Sequence, residues 1–575
     1  MSNRKKLELT WIGKEQRPRL EPRILLEDPE RSYHAAQRVT DHDIFNNRLI
    51  FGDNLLALKA LEQEFTGRIK CIYIDPPYNT GAAFTHYDDG VEHSVWLSLL
   101  RDRLELLREL LTRDGVIFAS IDQTEFAYLT VLMDEVFGRR NSCGYLVWEK
   151  KKKPSFLNAN MGIVTEFVLA YAKDRSRAPA FTGGVTTAGK KFPLNNAGNG
   201  VRILTFPAYS VAFGCVDQVF EPQDMSEGNI ITRLLDRLEV REGRNVKAFR
   251  LEGEWRYSQA RLDEILGSGE TIVISRAPFR PNHIKEGGEP KKLKNLLTIA
   301  HYEMSTYEDA TSESRALFGE QGAFDYPKPE KLISTLIGAV TDPSDWVLDS
   351  FAGSGTTGAV AHKMGRRWIM VELGEHCHTH IIPRLKKVID GTDQGGISEA
   401  VGWKGGGGFR YFGLAPSLLE KDRWGNWVIS KQYNAAMLAE AMCKHEGFTY
   451  APSGDVFWQH GHSTERDFIY VTTQTLTHEQ LAQISEEVGE GRSLLICCGA
   501  FRSKAGAFPK LTLKKIPNAV LNRCEFGRDD YSLRIANLPQ VPSGPEAPSP
   551  PALPKKPKPD DAQPTLPFDE PRGER

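Results

Sequence analysis

Apolar residues recur with two different periods along residues 48–180, and the same rhythm returns along 301–390. "RLIFGDNLLALKAL" predicts a strand over 49–51, a turn, and then a helix whose apolar residues follow helical spacing. "RIKCIYI" and "DGVIFASID" predict buried strands, and "VWLSLLRDRLELLRELL" predicts a strongly amphipathic helix. Strands that alternate with helices indicate βαβ units and a mostly parallel sheet.

The later part of this pattern repeats the order of strand, turn and helix. "DWVLDSFAGSGTTGAVAHKMGRRWIMVEL" predicts a strand, a glycine-rich turn, a helix and a further strand, and "KPEKLISTLIGAV" predicts a helix just before it. "MGIVTEFVLAYAK" fits either a helix or a strand. Together the segments predict a Rossmann-like α/β fold with a mostly parallel sheet and helices on both faces.

Changes in composition divide the chain into six parts. The α/β rhythm is interrupted by a long stretch rich in Gly, Asn, Arg and aromatic residues, and it ends before the glycine-rich "GWKGGGGFRYFGL". A Pro-rich polar tail closes the sequence and predicts disorder. The expected parts are an N-terminal, solvated arm (1–47), a first core half (48–180), an insertion (181–300), a second core half (301–390), a mixed α+β C-terminal domain (391–540) and the tail (541–575).

The composition fits a globular cytoplasmic protein. The 575 residues are 40% hydrophobic and 26% charged. No apolar run approaches the ~18 residues of a membrane span, and the polar N-terminus lacks the apolar region of a secretory signal. The eight cysteines include no C-x-x-C pair, which indicates free thiols in a reducing compartment. His376, His378 and His380 flank Cys377, but their spacing matches no known zinc site, so we expect no metal.

The turn after "WVLD" has the features of a nucleotide-cofactor site. Gly353, Gly355 and Gly358 fit G-x-G-x-x-G, which lets a ligand approach the backbone at a helix N-terminus. Glu372 follows Gly353 after nineteen residues, at the end of the next strand, where an acid can bind ribose hydroxyls. The pattern suits a dinucleotide as well as any adenosine-containing cofactor. An oxidoreductase therefore remains an alternative at this point.

A second special turn follows the buried strand "CIYI". It reads Asp75-Pro76-Pro77-Tyr78. Two prolines fix a rigid, non-helical corner, which can hold a carboxylate, a carbonyl and an aromatic ring around a flat object. Because ligands of α/β sheets bind outside the carboxyl ends of the strands, two such turns at one edge predict a transferase.

These two motifs together resemble the amino-group DNA methyltransferases. "DPPYNTG" matches the catalytic motif of that family, and "DSFAGSGTT" matches its S-adenosylmethionine motif. The catalytic motif precedes the cofactor motif, as in the permuted β subclass, and "FDYPKPEKL" is similar to a further cofactor element. The style of "GWKGGGGFRYFGL" resembles the Mod subunit of type III restriction–modification systems. The resemblance covers roughly residues 48–180 and 300–540.

The resemblance implies transfer of a methyl group to the N6 amino group of an extruded adenine. Asp75 and the carbonyl of Pro76 would accept the two N–H bonds of the amino group, and the missing N–H of Pro77 removes a competing donor. Tyr78 would stack on the base, a contact of about 1–3 kcal/mol. An aspartate at position 75 favours adenine over cytosine N4, which stays open as an alternative. The chain has no Pro-Cys dipeptide for cytosine-C5 chemistry.

The resemblance also implies a set of cofactor contacts. Some of these residues have simpler interpretations. Asp53 can cap its helix, Lys328 can be a surface charge, and Asp349 can orient the turn instead of touching ligand. The residues expected at S-adenosylmethionine are Asp53, Lys328, Asp349, Phe351, Gly353, Gly355, Thr356 and Glu372.

The insertion is the expected reader of the target sequence. Between residues 241 and 294 it carries 12 Lys and Arg against 8 Asp and Glu, although the whole chain has a net charge of −2. Arginine can read guanine edges, and lysine can neutralise phosphates. A solvated charged surface is the alternative. The residues expected at double-stranded DNA are Asn79, Arg241, Arg244, Arg256, Arg276, Arg280, Lys291 and Lys292.

Several partners are compatible with this sequence. A homodimer and a nuclease (Res) subunit are expected from the resemblance, with residues 415–540 as the docking region. A solitary methyltransferase and a catalytically idle DNA-binding protein are the alternatives. In the tail, Gln563, Leu566 and Phe568 loosely resemble a peptide that binds bacterial sliding clamps.

Overall fold

A ten-stranded mixed sheet forms the centre of the computed structural model, which describes residues 8–78, 93–154, 160–185, 187–285, 287–504 and 506–532. The strands are not arranged in chain order, because helices cross over between them. From one edge to the other the order is Leu25–His34, Gly408–Leu414, Asn47–Phe51, Arg367–Glu372, Trp346–Asp349, Ile69–Ile74, Leu111–Ile121, Thr165–Ala172, Ser142–Glu149 and Leu296–Leu297.

The middle of this sheet is parallel. Six strands, from Gly408–Leu414 to Leu111–Ile121, run in one direction. Thr165–Ala172 is antiparallel to its neighbours on both sides. The segment that fitted either a helix or a strand is therefore a strand, and its first residues lie at the same edge as the carboxyl ends of the parallel strands. The predicted Rossmann-like, mostly parallel α/β fold is confirmed.

Helices cover both faces of the sheet, so its central strands are apolar on both sides. Cys71 and Tyr73 point into one core, and Ile72 and Ile74 point into the other. The helices on the first face are Glu330–Gly338, Thr356–Lys363 and Ile382–Ile389, with a π-helical turn at Cys377–Ile381. Those on the second face are Asn54–Phe65, His93–Leu110 and Phe126–Met133.

Short strands replace the long parallel ones between residues 191 and 284. They form a seven-stranded and a four-stranded sheet around a core that includes Phe206, Phe249 and Trp255. Each strand is too short to bury much surface alone, so the helix Gln259–Gly267 also packs on this core. The strands are Lys191–Pro193, Val201–Phe206, Val211–Phe213, Gln218–Phe220, Gln223–Asp224, Thr232–Leu234, Leu238–Arg241, Arg244–Asn245, Phe249–Glu254, Thr271–Ile274 and Asn282–Ile284. Thr182–Val185 pairs with Pro290–Lys292 at the base.

A second small sheet lies between residues 449 and 515. The sheet has five strands, and the helices Ala435–Glu446 and His478–Val488 pack against it. Its strands are Thr449–Tyr450, Gly461–His462, Asp467–Val471, Ser493–Cys498 and Leu511–Lys515. Leu419–Lys421 pairs with Trp427–Ile429, and Thr475–Leu476 pairs with Ala500–Phe501. The remaining α-helices of the described chain, Ile299–Tyr302, Tyr307–Phe318 and Ser398–Val401, lie outside this sheet. A π-helical turn at Asp134–Gly138 and a 3-10 turn at Arg139–Asn141 follow Phe126–Met133.

The N-terminal segment is packed from residue 8 onward, in contrast to the expected solvated arm. Leu25–His34 is an edge strand of the main sheet, paired with Gly408–Leu414. Arg23 is buried because its guanidinium bonds to Glu21 at 2.8 Å and to the carbonyl of Ala415 at 2.7 Å. A polar segment thus folds through ion pairing and strand pairing, which its hydropathy does not reveal.

Among the residues that the structure describes, no helix is both long enough and apolar enough to cross a membrane. Within the same ranges, no group of three or more His, Cys, Asp or Glu side chains is arranged to hold a metal ion.

Candidate active site

The two special turns open into one cavity at the carboxyl edge of the main sheet. Ile69–Ile74 and Trp346–Asp349 are adjacent parallel strands, so the turns that follow them are neighbours. Residues 75–78 and residues 351–354 both line this cavity, whose volume is about 480 Å³. That size lies in the usual range of small-molecule sites, about 300–1,000 Å³.

A tight ion pair and two hydrogen bonds occupy the first turn. Lys328 Nζ lies 2.6 Å from Asp75 Oδ2 and 2.9 Å from the hydroxyl oxygen of Tyr78. The Tyr78 hydroxyl donates to Asp75 Oδ1 at 2.7 Å. Lys328 is buried and lines the cavity that it shares with the glycine turn, so it is not the surface charge considered as its alternative. Its ammonium binds the acid of the catalytic motif, and its contact with the cofactor stays a prediction. Asp75 keeps about a quarter of its side chain exposed (26%), so it remains accessible from the cavity.

The helix His93–Leu110, on the second face of the sheet, holds the proline corner from behind. Trp96 is fully buried, and its indole N–H donates to the carbonyl of Pro77 at 2.6 Å. Pro76 is buried and Pro77 is half-buried. Since neither proline has an N–H, the two residues that follow Asp75 place no backbone donor beside its carboxylate. Asn79 lies outside the described residues.

Glu166 is a buried acid of the site that the sequence analysis did not identify. It lies in Thr165–Ala172 and lines the cavity with only 3% of its surface exposed. Lys150 Nζ donates to its carboxylate at 2.9 Å, and the hydroxyl of Tyr307 donates to it at 2.9 Å. The Tyr78 hydroxyl is 3.4 Å away and Lys328 Nζ is 3.8 Å away. One carboxylate thus joins four side chains of the cavity wall.

Burial keeps the two tyrosines of this network neutral. It raises the pKa of Tyr78 well above the ordinary value, and the nearby carboxylates of Asp75 and Glu166 raise it further. Burial and Glu166 have the same effect on the pKa of Tyr307. Both hydroxyl groups therefore stay protonated and act as hydrogen-bond donors to carboxylates. A neutral phenol ring also offers an apolar face to a flat ligand.

The glycine turn forms the opposite wall. Gly353 and Gly355 have φ values of 53° and 76°, a left-handed conformation that side chains disfavour. At Gly355 an added Cβ would also meet Ile381 at 3.1 Å. Phe351, Gly353, Ser354 and Thr356 line the cavity, and Thr356 begins the helix Thr356–Lys363. The open backbone of this turn can hold a nucleoside-type cofactor.

Two buried acids fix the shape of this turn. Asp349 accepts the N–H of Phe351 at 2.9 Å and the hydroxyl of Thr357 at 2.5 Å, and burial raises the pKa of this carboxyl to about 7. Glu372 accepts the N–H groups of Gly353 at 2.8 Å and of Leu373 and Gly374 at 2.9 Å. Asp349 also lines the cavity, whereas Glu372 lies behind the turn, with 3% of its surface exposed. Glu372 thus braces the backbone.

Asp53 lies away from the cavity lining and caps a helix. Its carboxylate accepts the N–H groups of Leu55 at 2.9 Å and Leu56 at 3.2 Å. The other oxygen accepts the N–H of Tyr531 at 2.8 Å and faces Arg103 at 3.5 Å. With 1% of its surface exposed and both oxygens engaged, Asp53 has the capping role that the sequence analysis kept as its alternative.

The basic residues of the insertion are mostly exposed, and several already have partners. Arg241 pairs with Glu239 at 3.0 Å. Arg280 donates to the carbonyl of Glu227 at 2.7 Å. Arg244 and Arg256 bond to neutral oxygens, and Arg276, Lys291 and Lys292 are exposed. None of them lines the cavity.

The fold and the cavity define an α/β enzyme with a nucleoside-type cofactor site beside a proline-braced acid. The family model described as DNA methylase matches residues 69–383, which is more than half of the chain and includes both turns. The chain belongs to the DNA methylase family. The resemblance found in the sequence is therefore confirmed.

Curated relatives extend this similarity. The chain is 31% identical over 445 residues to a probable type III restriction–modification enzyme Mod subunit (HindVI) of Haemophilus influenzae, covering 68% of this chain and 56% of the relative. It is 28% identical to the EcoP15I Mod subunit of Escherichia coli, covering 64% of each chain. A type II methyltransferase of Klebsiella pneumoniae, M.KpnI, is 26% identical over 59% of this chain and 81% of its own length. The chain thus matches less than two thirds of the length of the two Mod subunits.

Proposed function

We propose that the chain is a site-specific DNA methyltransferase that transfers a methyl group from S-adenosylmethionine to the N6 amino group of an extruded adenine. One observation carries this proposal. The Asp75-Pro76-Pro77-Tyr78 turn and the turn at Gly353 share one cavity, in a chain of the DNA methylase family. A base and a methyl donor can therefore meet there.

The first turn suits the amino group of a base. The lone pair of that nitrogen is delocalised into the ring, so it is a poor nucleophile. Asp75 and the carbonyl of Pro76 accept its two N–H bonds and draw the nitrogen toward tetrahedral geometry. Tyr78 provides the stacking face. Catalysis then rests on positioning and electrostatics, without a covalent intermediate on the protein.

Lys328 holds the first turn ready when no base is bound. Its ammonium joins Asp75 and Tyr78 within 2.9 Å, which prevents the carboxylate from swinging away. An entering amino group competes with this ion pair for Asp75. Glu166 keeps Lys328 within 3.8 Å, and so offers the ammonium a second carboxylate when the base takes the first. We assign Glu166 as a positioning residue.

The second wall fits S-adenosylmethionine, which supplies a methyl group activated by a sulfonium. Phe351 can pack on the cofactor, and the backbone at Gly353 and Gly355 leaves room for it because no side chain fills the turn. Thr356, at the start of its helix, can donate a hydrogen bond to it from its hydroxyl group. Contact between Glu372 and the ribose would require the carboxylate to give up a hydrogen bond from a backbone N–H group. We therefore favour the bracing of the turn over ribose binding as its role.

The insertion is the proposed reader of the target sequence, with its arginines on base edges and its lysines on phosphates. The similarity to Mod subunits supports a place in a type III system, acting on double-stranded DNA in the cytoplasm with a nuclease subunit as partner. A homodimer is part of the same proposal. The clamp-binding peptide at Gln563, Leu566 and Phe568 lies outside the described residues and stays a prediction.

Mass spectrometry of DNA nucleosides tests this function. The purified chain is incubated with S-adenosylmethionine and a pool of random duplex DNA, and the products are digested to nucleosides. We expect N6-methyladenine, and none with an Asp75→Ala variant. Detection of N4-methylcytosine in place of N6-methyladenine would show that cytosine is the target base. The absence of any methylated base, with S-adenosylmethionine bound, would refute the proposal.

A further inference from the structure

A run of four lysines leaves the sheet at the mouth of the cavity. Residues 150–153 read Lys-Lys-Lys-Lys and follow directly after Ser142–Glu149. This strand is antiparallel to Thr165–Ala172, with Glu149 opposite Thr165, so its last residue lies at the edge where Asp75 lies. Lys150 and Lys151 line the cavity. The run is therefore a rim of the site, which is unusual for a solvated charged face.

The four lysines are fixed in different ways. Lys150 is drawn inward by Glu166, and Lys152 pairs with Asp309 at 3.1 Å. Lys153 is exposed and Lys151 is half-buried, and neither forms an ion pair with another described residue. Pro154, which follows the run, packs closely on Gly162, where an added Cβ would approach to 2.4 Å. Lys150, Lys152 and Pro154 thus fix the run, and they place Lys151 at the rim and Lys153 next to it on the exposed side.

An exposed aromatic residue lies at the mouth of the same cavity. Tyr326 has 62% of its surface exposed and also lines the cavity. Its φ is 52°, a conformation that a bulky side chain disfavours, and its ring meets Tyr307 edge to face at 6.2 Å. A large apolar ring held outward in a disfavoured backbone conformation suggests a ligand contact. Lysines combined with an exposed aromatic ring are typical of surfaces that bind a nucleic-acid strand.

The polarity of the cavity favours one orientation of a nucleotide. Its inner wall carries the carboxyl groups of Asp75 and Glu166, which accept amino hydrogens. Their charges offset those of Lys328 and Lys150, so the inner wall leaves little net positive charge for a phosphate. Its rim carries Lys151, which attracts phosphate, with the carboxylate of Asp325 as an opposing charge nearby. The exposed Lys153 follows Lys151 by two residues, outside the cavity lining. A nucleotide therefore enters with its base first and leaves its phosphates at the rim.

We propose that Lys151, Lys153 and Tyr326 form a clamp for the DNA strand on either side of the extruded base. The lysines bind phosphates, and the Tyr326 ring stacks on an exposed base. This inference rests on the proposed function and adds a DNA surface outside the insertion. Phosphate contacts carry no sequence information, so the clamp acts on any DNA sequence.

Salt dependence of DNA binding tests the lysines without knowledge of the target site. Fluorescence anisotropy measures the affinity for a labelled random-sequence duplex at several salt concentrations. Each lost phosphate contact should make the slope of log K against log salt shallower by about 0.9. We expect the slope of the Lys151→Gln/Lys153→Gln variant to be shallower than that of the unchanged chain by about 1 to 2. The arginine pair Lys151→Arg/Lys153→Arg should keep it.

A matched variant separates the rim from general charge. Lys431 and Lys504 are exposed lysines of the C-terminal region, and Lys431→Gln/Lys504→Gln removes the same charge. Its slope should equal that of the unchanged chain. Equal slopes for the rim variant and this control would overturn the lysine assignment. Should the double rim variant unfold, the single variant Lys153→Gln, at an exposed residue, must still make the slope shallower.

Tyr326 has its own readout. Tyr326→Ala should weaken binding to a single-stranded oligonucleotide about tenfold, because a stacked base is lost, whereas Tyr326→Phe should bind like the unchanged chain. Equal affinity of the alanine variant would remove Tyr326 from the clamp. If the unchanged chain binds and methylates DNA while the rim variants behave normally, only the clamp fails. If the unchanged chain neither binds nor methylates DNA, the proposed function fails.

Discussion

The cavity and the insertion use charged residues in different ways. In the cavity, Glu166 and Lys328 are nearly buried and bind several partners within hydrogen-bond distance. In the insertion, Arg241 and Arg250 are more than half exposed, and each pairs with one acid on the same surface. Buried pairs fix geometry, because breaking one leaves an uncompensated charge, whereas exposed pairs cost little to exchange. This difference matches the proposed function, in which the cavity carries out the chemistry and the insertion reads the target sequence.

The largest expected effect comes from the acid of the first turn. Asp75→Asn removes the charge that accepts the amino hydrogens and leaves Lys328 with a weaker partner. We expect methyl transfer to fall by about a thousandfold or more, with binding of S-adenosylmethionine nearly unchanged. Single-turnover transfer of a radiolabelled methyl group and calorimetric titration of the cofactor measure the two quantities. Loss of cofactor binding in proportion to activity would instead place Asp75 at the cofactor.

Glu166 should have the next largest effect. Glu166→Gln keeps the shape of the side chain but leaves Lys150 and Lys328 with fewer negative charges, so Lys328 binds Asp75 more firmly. We expect kcat to fall about 10- to 100-fold with little change in KM for DNA. Adding Lys150→Gln removes the surplus cation and should restore part of kcat. If the double variant is no better than Glu166→Gln, Glu166 has only a structural role.

The insertion should change specificity more than rate. Replacing residues 187–285 by the matching region of a relative should change the methylated sequence, because this segment has its own core. Single changes such as Arg244→Ala or Arg276→Ala should weaken the binding of the target sequence by about 1–3 kcal/mol if the arginine reads a base. Methylation-aware sequencing reports the site. An unchanged recognition sequence after replacement would contradict the assignment.

The smallest effect on catalysis is expected from Asp349, whose signature is pH dependence. Because burial raises its pKa to about 7 in the folded chain, the folded state binds this proton more tightly than the unfolded state. This carboxyl therefore stabilises the fold fully below about pH 4, and that contribution is lost as pH rises through 7. Between pH 5 and 8, the free energy of unfolding should fall less in Asp349→Asn than in the unchanged chain, and the difference should be roughly 1–3 kcal/mol. Denaturant titrations at several pH values measure the free energy of unfolding. The same dependence on pH in the variant and the unchanged chain would refute this prediction.

The sequence predicted the turns well and the network around them poorly. Apolar runs before Asp75 and Gly353 define strands, and proline and glycine mark their ends, so local chemistry sufficed. Glu166 reaches the site only because Thr165–Ala172 runs antiparallel, which hydropathy does not encode. A charged residue at the start of the otherwise apolar "EFVLAYA" is the signal that could have identified it. Asp53 shows the opposite case, since its position before a helix fits a cap as well as a cofactor contact. The structure shows the cap, and the cofactor contact stays a prediction.

The most direct test of the central claim is a crystal structure with S-adenosylhomocysteine bound. The shared cavity predicts that the ligand lies against Phe351 and the backbone at Gly353, with its sulfur facing Asp75 and Tyr78. A ligand bound at another surface, or bound at Gly353 with its sulfur turned away from Asp75, would contradict the account.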